Sequence, residues 1–262
     1  MMKLISLNTW GGKAFESLIN FLKQNSDTDI FCFQEVYRSD SNQRLENTIR
    51  TNLLEELAQV LPRFKIFHFP TLIGFNTDTK LEKVDFDLKY GPAIFVKNSI
   101  SINQQKNYFI FKNNIHDASE DFSNLATPLQ YIDLSFNGKN LAVFNFHGTC
   151  FPFNKLDSPN RLKEARKARE IMSQISGAKI IVGDFNILPQ TESLNIIGGD
   201  MRNLIKEYNI ERTRSKLSPF FGKPNFHKFA DYTLVSKEIE VISFEVPDLN
   251  ISDHLPMILE FE

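Results

Sequence analysis

The chain has 262 residues, 42% of them hydrophobic, so it is long enough to bury a sizeable core as one large domain or two small ones. Its 30 Lys and Arg residues against 32 Asp and Glu residues give a formal net charge of −2, which argues against avid electrostatic binding to long nucleic acid. Two cysteines, Cys32 and Cys150, argue against a disulfide framework or a thiolate metal cluster and are compatible with a reducing compartment.

The N-terminal stretch MMKLISLNTWGG lacks the features of a targeting segment. It holds one lysine and only a few apolar residues before Asn8, which is too short for the apolar core of a secretory signal. No apolar run in the sequence approaches the length of a membrane span. We therefore expect a cytoplasmic protein without a transmembrane segment.

The first part of the chain predicts a β-α-β opening followed by a second helix and two strands. The runs KLISL and DIFCF are typical of short strands, and the strand-like runs FKIFHF and AIFVK come later. Between the first two runs, apolar residues recur at helical spacing: Phe15, Leu18, Ile19 and Leu22. A second set at the same spacing predicts the second helix: Leu45, Ile49, Leu53, Leu54, Leu57 and Val60.

The second part of the chain predicts a hairpin, a helix and further strands. The β-rich runs LQYIDLSF and KNLAVFNFH flank Asn137 and Gly138, a dipeptide suited to the positive φ angles of a tight hairpin turn. A helix is predicted after Pro159, and its stretch RLKEARKARE is expected to form a solvated surface because Glu164 and Glu170 interrupt the basic residues. The remaining strand-like runs are KIIVGD, DYTLVS, IEVISFEV and MILEF.

No linker, repeat or low-complexity tract separates the two halves. We therefore predict a single domain over residues 1–262. The predicted strands are too numerous for one small sheet, which favours an α/β (α+β) fold with two packed mixed β-sheets flanked by helices.

The stretch IIVGDFNILPQ, which begins at Ile180, ends a strand of buried type on Asp184 and Asn186. A carboxylate and an amide are costly to bury, so their position needs an explanation. An Asx turn with Gly183 and Pro189 as ordinary turn residues explains this pair taken alone.

Four other predicted strands also lie next to polar residues that carry chemistry. These residues are Asn8 after KLISL, Gln34 and Glu35 after DIFCF, His147 after NLAVFNF, and Asp253 with His254 before the last strand. Five such positions indicate strand ends that converge on one polar site rather than five unrelated loops.

The residue types of this set favour metal-assisted chemistry. No paired Ser or Cys nucleophile stands out, whereas hard oxygen ligands are abundant, and these are the ligands of Mg²⁺ or Mn²⁺. Such ions are held by one or two carboxylates with water and substrate phosphate in the other positions, which suits Glu35 with help from Asn8 and Asp253.

The remaining residues of the set can be given roles around a phosphate. Asp184 and Asn186 point to the same side of an extended segment, so one can orient a water while the other contacts a phosphoryl oxygen. His254 is the acid-base group, and Asp231 is the best candidate to orient it. A further histidine, His147, is placed to stabilise the phosphoryl charge.

Six segments, LNTW, FQEV, NFH, VGDFN, ADYTLVS and ISDH, resemble in this order the motif series of the endonuclease/exonuclease/phosphatase superfamily. The resemblance covers nearly the whole chain. It implies a four-layered α/β sandwich, dependence on Mg²⁺ or Mn²⁺, and hydrolysis of phosphate esters by an activated water. It also implies roles for particular residues: Asn8, Glu35 and Asp253 at the metal, His147 and Asn186 at the phosphate, Asp184 at the attacking water, and Asp231 paired with His254.

Two segments depart from the common pattern of that superfamily. Gly148 and Thr149 follow His147 where many relatives carry an apolar residue, which predicts an unusual pocket. Ile251 precedes SDH where abasic-site endonucleases commonly carry tryptophan, which disfavours abasic-site repair.

These observations predict a metal-dependent phosphoric ester hydrolase whose substrate is a nucleic acid, a nucleotide or a lipid headgroup. A compact or terminal phosphoester is favoured, because the loops 147–159 and 214–229 carry Phe, Lys and Arg residues that can enclose one base or sugar beside one phosphate. The alternatives are a general endonuclease, a sphingomyelinase-like phosphodiesterase, and a catalytically silent binding domain. A silent member is expected to have lost Glu35, Asp184 or His254, and none of them is lost.

Overall fold

The structure is a computed structural model that describes residues 1–41, 49–78, 80–112, 122–136 and 138–262. Its strands are β1 (Met2–Asn8), β2 (Ile30–Arg38), β3 (Phe64–His68), β4 (Leu72–Ile73), β5 (Phe75–Asn76), β6 (Glu82–Lys83), β7 (Lys89–Lys97), β8 (Ile102–Phe111), β9 (Thr127–Phe136), β10 (Lys139–His147), β11 (Ala178–Asp184), β12 (Arg202–Asn203), β13 (Asp231–Val235), β14 (Val241–Glu245) and β15 (Met257–Phe261). Its α-helices are α1 (Phe15–Gln24), α2 (Leu53–Val60), α3 (Pro159–Ser173), α4 (Glu192–Gly198) and α5 (Leu204–Glu207).

Most of the strands form two large mixed sheets. The first has the strand order β14-β15-β1-β2-β7-β3, with β4 also paired to β7, and β1 and β2 in it run parallel. The second has the order β12-β13-β11-β10-β9-β8, with β10 and β11 parallel. The short strands β5 and β6 pair only with each other among the described strands.

The two sheets pack face to face and carry helices on their outer faces, which confirms the predicted sandwich. Successive side chains of β2 point to opposite faces of the first sheet. Ile30 and Cys32 belong to the core between the two sheets, whereas Phe31 and Phe33 pack against α1 and α2 on the outer face. The apolar residues of α3 and α4 cover the other side of the second sheet.

A buried polar bridge joins the sheets in the middle of this apolar core. Gln34 Nε2 on β2 donates to Asn145 Oδ1 on β10 at 2.7 Å, and Asn145 Nδ2 donates to the Phe33 carbonyl at 3.0 Å. Asn145 Nδ2 also lies 3.2 Å from Gln130 Oε1 on β9. Buried amides of this kind are stable only when their partners are in place, so the bridge specifies how the two sheets are aligned.

The predicted hairpin and second helix are found, with differences at their ends. Strands β9 and β10 are antiparallel neighbours, and Gly138 has a φ of 72°, whereas Asn137 lies outside the described residues. The second helix begins only at Leu53; Ile49 precedes it, and Leu45 lies outside the described residues.

Helix α3 differs from the prediction of a solvated basic surface. Its residues Arg161 and Glu164 are buried, each with only 2% of its surface exposed. Glu164 accepts a hydrogen bond from Thr127 Oγ1 at 2.8 Å, and Arg161 is enclosed by the loop that precedes the helix. The prediction was wrong for these two residues because both find their partners outside the helix, which residue spacing along α3 does not reveal.

None of the helices within the described ranges is long and apolar enough to cross a membrane.

Candidate active site

The second sheet supplies a row of three ionisable side chains at one edge. In the register of β10, β11 and β13, His147 lies beside Asp184 and Asp184 lies beside Asp231. The parallel strands β10 and β11 end together at this edge, and the antiparallel β13 begins there. Hydrogen-bonded pairing therefore fixes the order of these groups before any side-chain contact is made.

The first sheet contributes Asn8 at the end of β1 and Glu35 within β2. The register of β2 with β7 shifts between Phe33 and Val36, and Glu35 has a φ of 59° at this irregularity. Bulges of this kind re-aim a side chain. Asn8 Nδ2 donates to Glu35 Oε1 at 3.0 Å and to Asp184 Oδ2 at 3.1 Å. One amide thus holds a carboxylate from each sheet.

A cluster of donor atoms suited to a divalent ion lies beside this bridge. His147 Nε2 is 4.0 Å from Glu35 Oε1 and 3.9 Å from Asp184 Oδ2. The ligand atoms of these three residues lie within 4.8 Å of one another. Burial outweighs the hydrogen bond from Asn8 and raises the pKa of Glu35. Two carboxylates without a thiolate fit a hard cation such as Mg²⁺ or Mn²⁺.

The second feature of the site is the buried pair of His254 and Asp231. His254 Nδ1 lies 2.8 Å and 2.9 Å from the two carboxylate oxygens of Asp231, and each residue has 2% of its surface exposed. Burial and the nearby Arg214 charge lower the pKa of His254 to about 4. When the imidazole is neutral and donates its Nδ1 proton to Asp231, Nε2 carries the lone pair. The Nε2 atom lies 3.5 Å from Asp184 Oδ2.

Arg214 is a site residue that the motif analysis did not single out. Its Nη1 donates to His254 Nε2 at 2.9 Å, and its Nη2 donates to Asp253 Oδ2 at 2.5 Å. Asp253, predicted as a metal ligand, therefore has one carboxylate oxygen in an ion pair. Arg214 lies in a loop without hydrophobic periodicity. The sequence therefore indicated only that it belongs to the loop 214–229, which was predicted to enclose the substrate.

Lys155 is the second such cation. Its Nζ donates to Asn186 Oδ1, and Asn186 Nδ2 donates to the Gly148 carbonyl at 3.1 Å. Burial lowers the pKa of Lys155. The Asn186 backbone N–H also donates to Asp184 Oδ1 at 2.9 Å, which is the bond of an Asx turn. Asn186 has a φ of 55°, so the segment turns after Asp184 and is not extended as predicted.

The loop that carries Lys155 is held from behind by Arg161. The Arg161 guanidinium donates to the carbonyls of Leu156 at 2.6 Å, Pro152 at 2.7 Å and Cys150 at 3.2 Å. A planar guanidinium with several donors is suited to collecting carbonyls of one loop. Arg161 thereby orders the segment that enters the site.

These groups open into a cleft of about 790 Å³. Six of the predicted site residues line it: Glu35, His147, Asp184, Asn186, Asp253 and His254. Asn8 and Asp231 contact them from behind. The two predicted loops also line the cleft and contribute Phe153 and Phe220, which are 60% and 47% exposed. The predicted site residues therefore lie together in the structure, and their individual roles remain predictions.

Comparison with known sequences finds a matching family model. The sequence model described as the Endonuclease/Exonuclease/phosphatase family matches residues 5–254. No curated protein sequence matches the chain significantly.

Several solved structures share the fold over the whole chain. The mannosyl-6-phosphatase of Bacteroides thetaiotaomicron VPI-5482 has a TM-score of 0.71 at 16% identity, covering 100% of both chains. A family protein from Leptotrichia buccalis has a TM-score of 0.71 at 18% identity, also covering 100% of both chains. A humanized D. rerio TDP2 has a TM-score of 0.67 at 14% identity, covering 100% of this chain and 98% of the other. At these identities the likeness establishes the fold.

Proposed function

Because this chain belongs to the endonuclease/exonuclease/phosphatase family, we propose that it is a divalent-metal-dependent hydrolase of phosphate esters. The observation that carries the proposal is the Asn8 bridge, which holds Glu35 and Asp184 from different sheets beside the His254–Asp231 pair. Carboxylates held together in this way repel each other unless a cation joins them. The arrangement thus supports a metal site next to an acid-base pair.

We assign the metal region to Glu35, Asn8 and Asp253, on the Glu35 side of the Asn8 bridge. The donor atoms of His147 and Asp184, which the structure groups with Glu35, then face this region from the side of the phosphate and the water. Glu35 supplies the principal carboxylate, and Asn8 fixes its orientation. Arg214 takes Oδ2 of Asp253, so Oδ1 is the atom that we assign to this region. A bound Mg²⁺ or Mn²⁺ would offset the charge of the phosphoryl group and polarise its oxygens.

Asp184 is the group that we assign to the attacking water. Burial opposes its ionisation, but the charge that His254 carries when it is protonated, together with the charge of Lys155, outweighs burial and lowers the pKa of Asp184. An ionised carboxylate accepts a hydrogen bond from the water and orients its lone pair toward phosphorus. The backbone N–H of Asn186 donates to Oδ1 of Asp184 and fixes the orientation of this carboxylate.

His254 moves the proton in this proposal. Its Nε2 lies 3.5 Å from Asp184 Oδ2, and Asp231 holds the imidazole through Nδ1. Nε2 accepts a hydrogen bond from Arg214 Nη1 in this structure, and that bond must break before Nε2 takes up a proton. Asp231 also stabilises the imidazolium that forms when Nε2 takes up a proton. His147 and Asn186 face the phosphoryl oxygens and stabilise their charge.

The substrate that we propose is a compact or terminal phosphoester. A cleft of about 790 Å³ has the size of a small-molecule site. A net charge of −2 and the buried state of Arg161 disfavour a long basic track of the kind that grips several phosphates. The mannosyl-6-phosphatase with the same fold is consistent with a small ester. A general endonuclease and a sphingomyelinase-like phosphodiesterase are the alternatives, and a cytoplasmic location stays a prediction.

The first test is a substrate panel with and without metal. Nucleotides, sugar phosphates, short oligonucleotides, circular plasmid, phosphoinositides and sphingomyelin are incubated with the protein in Mg²⁺ or Mn²⁺. We expect turnover of a compact ester that stops on exhaustive EDTA treatment and returns with metal. Glu35→Gln should lose most of this activity, whereas Glu170→Gln, on an exposed part of α3, should retain it.

Full activity after EDTA treatment and dialysis would refute the metal assignment. Rapid nicking of plasmid with little turnover of compact esters would instead favour a general endonuclease. A folded protein that hydrolyses no member of the panel would favour the catalytically silent binding domain.

A further inference from the structure

Lys155 differs from the other cation of the cleft in having no acidic partner. Arg214 is paired with Asp253 at 2.5 Å. Lys155 Nζ donates to the amide oxygen of Asn186, and in the described part of the chain it forms no ion pair with a carboxylate. Asp184 and Asp231 act on this ammonium only at longer range, and burial still lowers the pKa of Lys155. A partly buried ammonium without a carboxylate in contact is costly, because the water removed from it is only partly replaced. An anionic ligand in the cleft would supply that compensation.

The backbone around Lys155 is constrained in a way that fixes this ammonium. Lys155 has a φ of 56°, a left-handed conformation that a lysine rarely adopts. Its carbonyl accepts the Leu188 amide proton at 3.0 Å, which ties its loop to the segment after Asn186. Arg161 binds the same loop through the Pro152 and Leu156 carbonyls. Local strain maintained by surrounding bonds is typical of functional positions.

We propose that Lys155 binds a terminal oxygen of the phosphoryl group and makes the site selective for phosphomonoesters over phosphodiesters. This inference rests on the function proposed above. Lys155 contacts Asn186, which we assign to the phosphate, so its ammonium lies next to the expected position of the phosphoryl oxygens. Arg214 approaches the same position from the side of His254.

The number of donors explains the selectivity. A phosphomonoester at neutral pH has three terminal oxygens and carries about −1.5 to −2 of charge, whereas a diester has two terminal oxygens and a single charge. His147 and Asn186 are assigned to two oxygens, and the nearby Arg214 already donates to His254 and Asp253. Lys155 adds a charged donor for the third oxygen, which a diester replaces with a second ester linkage. A charge-assisted bond to that oxygen therefore benefits only the monoester.

The test compares one monoester and one diester with the same leaving group, p-nitrophenyl phosphate and bis(p-nitrophenyl) phosphate. Lys155→Met keeps the length of the side chain and removes its charge, and Lys155→Arg keeps the charge. Lys163→Met removes the same charge from an exposed position of α3 and is the matched control. Thermal melting checks that each variant is folded.

We expect Lys155→Met to lower kcat/KM for the monoester about 10- to 100-fold and for the diester less than about 5-fold. Inorganic phosphate should inhibit this variant at least about 10-fold more weakly than the wild type. Lys155→Arg should recover part of the monoester activity, and Lys163→Met should behave as wild type. An equal loss on both esters, or no loss on either, would overturn the proposal.

A wild-type protein that hydrolyses neither ester would count against the proposed function rather than against Lys155. Calorimetric titration with inorganic phosphate then decides the inference independently. Weaker phosphate binding by Lys155→Met than by Lys163→Met supports it, and equal binding overturns it.

Discussion

Replacement of Arg161 by methionine tests whether one buried side chain orders the cleft. Its two shortest hydrogen bonds reach the Leu156 carbonyl at 2.6 Å and the Pro152 carbonyl at 2.7 Å. A buried acceptor that loses its partner costs about 1–3 kcal/mol. Because Leu156 is exposed and Pro152 only half-buried, water can reach both carbonyls, and we take roughly 2–4 kcal/mol for the two together. Removal of a buried charge returns part of this cost, because burial disfavours the guanidinium and lowers the pKa of Arg161. We therefore expect a loss of about 2–3 kcal/mol.

Calorimetry and urea unfolding measure this loss. For a chain of this size it corresponds to a fall in Tm of roughly 4–12 °C. Arg166→Met changes an exposed arginine of the same helix and should shift Tm by less than about 2 °C. If the two variants have the same Tm, the Arg161 hydrogen bonds do not stabilise the loop and the reasoning is wrong.

Three further outcomes follow from the site and its supports. His254→Ala and Asp231→Asn should each lower the turnover rate by about 10²- to 10⁴-fold without unfolding the protein, as measured by steady-state kinetics and circular dichroism. Gly148→Ala should destabilise the fold by about 1–3 kcal/mol in urea unfolding, because its Cβ would lie 2.3 Å from the Phe185 carbonyl oxygen. Burial raises the pKa of Glu164 to about 7, so its protonated form favours the folded state and this stability is lost as pH rises from about 4.5 to 7. Glu164→Gln should therefore flatten the dependence of Tm on pH in this window; an unchanged dependence would contradict the assignment.

The convergence of the site could be predicted from sequence because it follows from strand geometry. Apolar runs that end on Asn8, His147 and Asp184 mark the ends of strands, and parallel neighbours end at the same edge. The alternation of side chains then brings inward-facing residues of both sheets together. The mixed two-sheet fold is confirmed by the structure, whereas the extent of the single domain stays a prediction.

The cations of the cleft could not be predicted in the same way. Lys155 and Arg214 lie in loops whose paths depend on bonds to distant segments, such as the Lys155 carbonyl to Leu188. The burial of Arg161 and Glu164 was also missed, since helical spacing identifies an apolar face but not polar side chains that turn toward a neighbouring loop. Such contacts are set by the tertiary structure alone.

Because the Asn8 amide binds one carboxylate from each sheet, we expect the protein to be active only when the sandwich is fully assembled. Glu35 belongs to one sheet and Asp184 to the other, and they meet only when the sheets have closed on each other. A folding intermediate in which either sheet is formed alone would contain only one of these two carboxylates and no complete acid-base pair. Recovery of activity during refolding should therefore coincide with the last docking step rather than with the return of secondary structure.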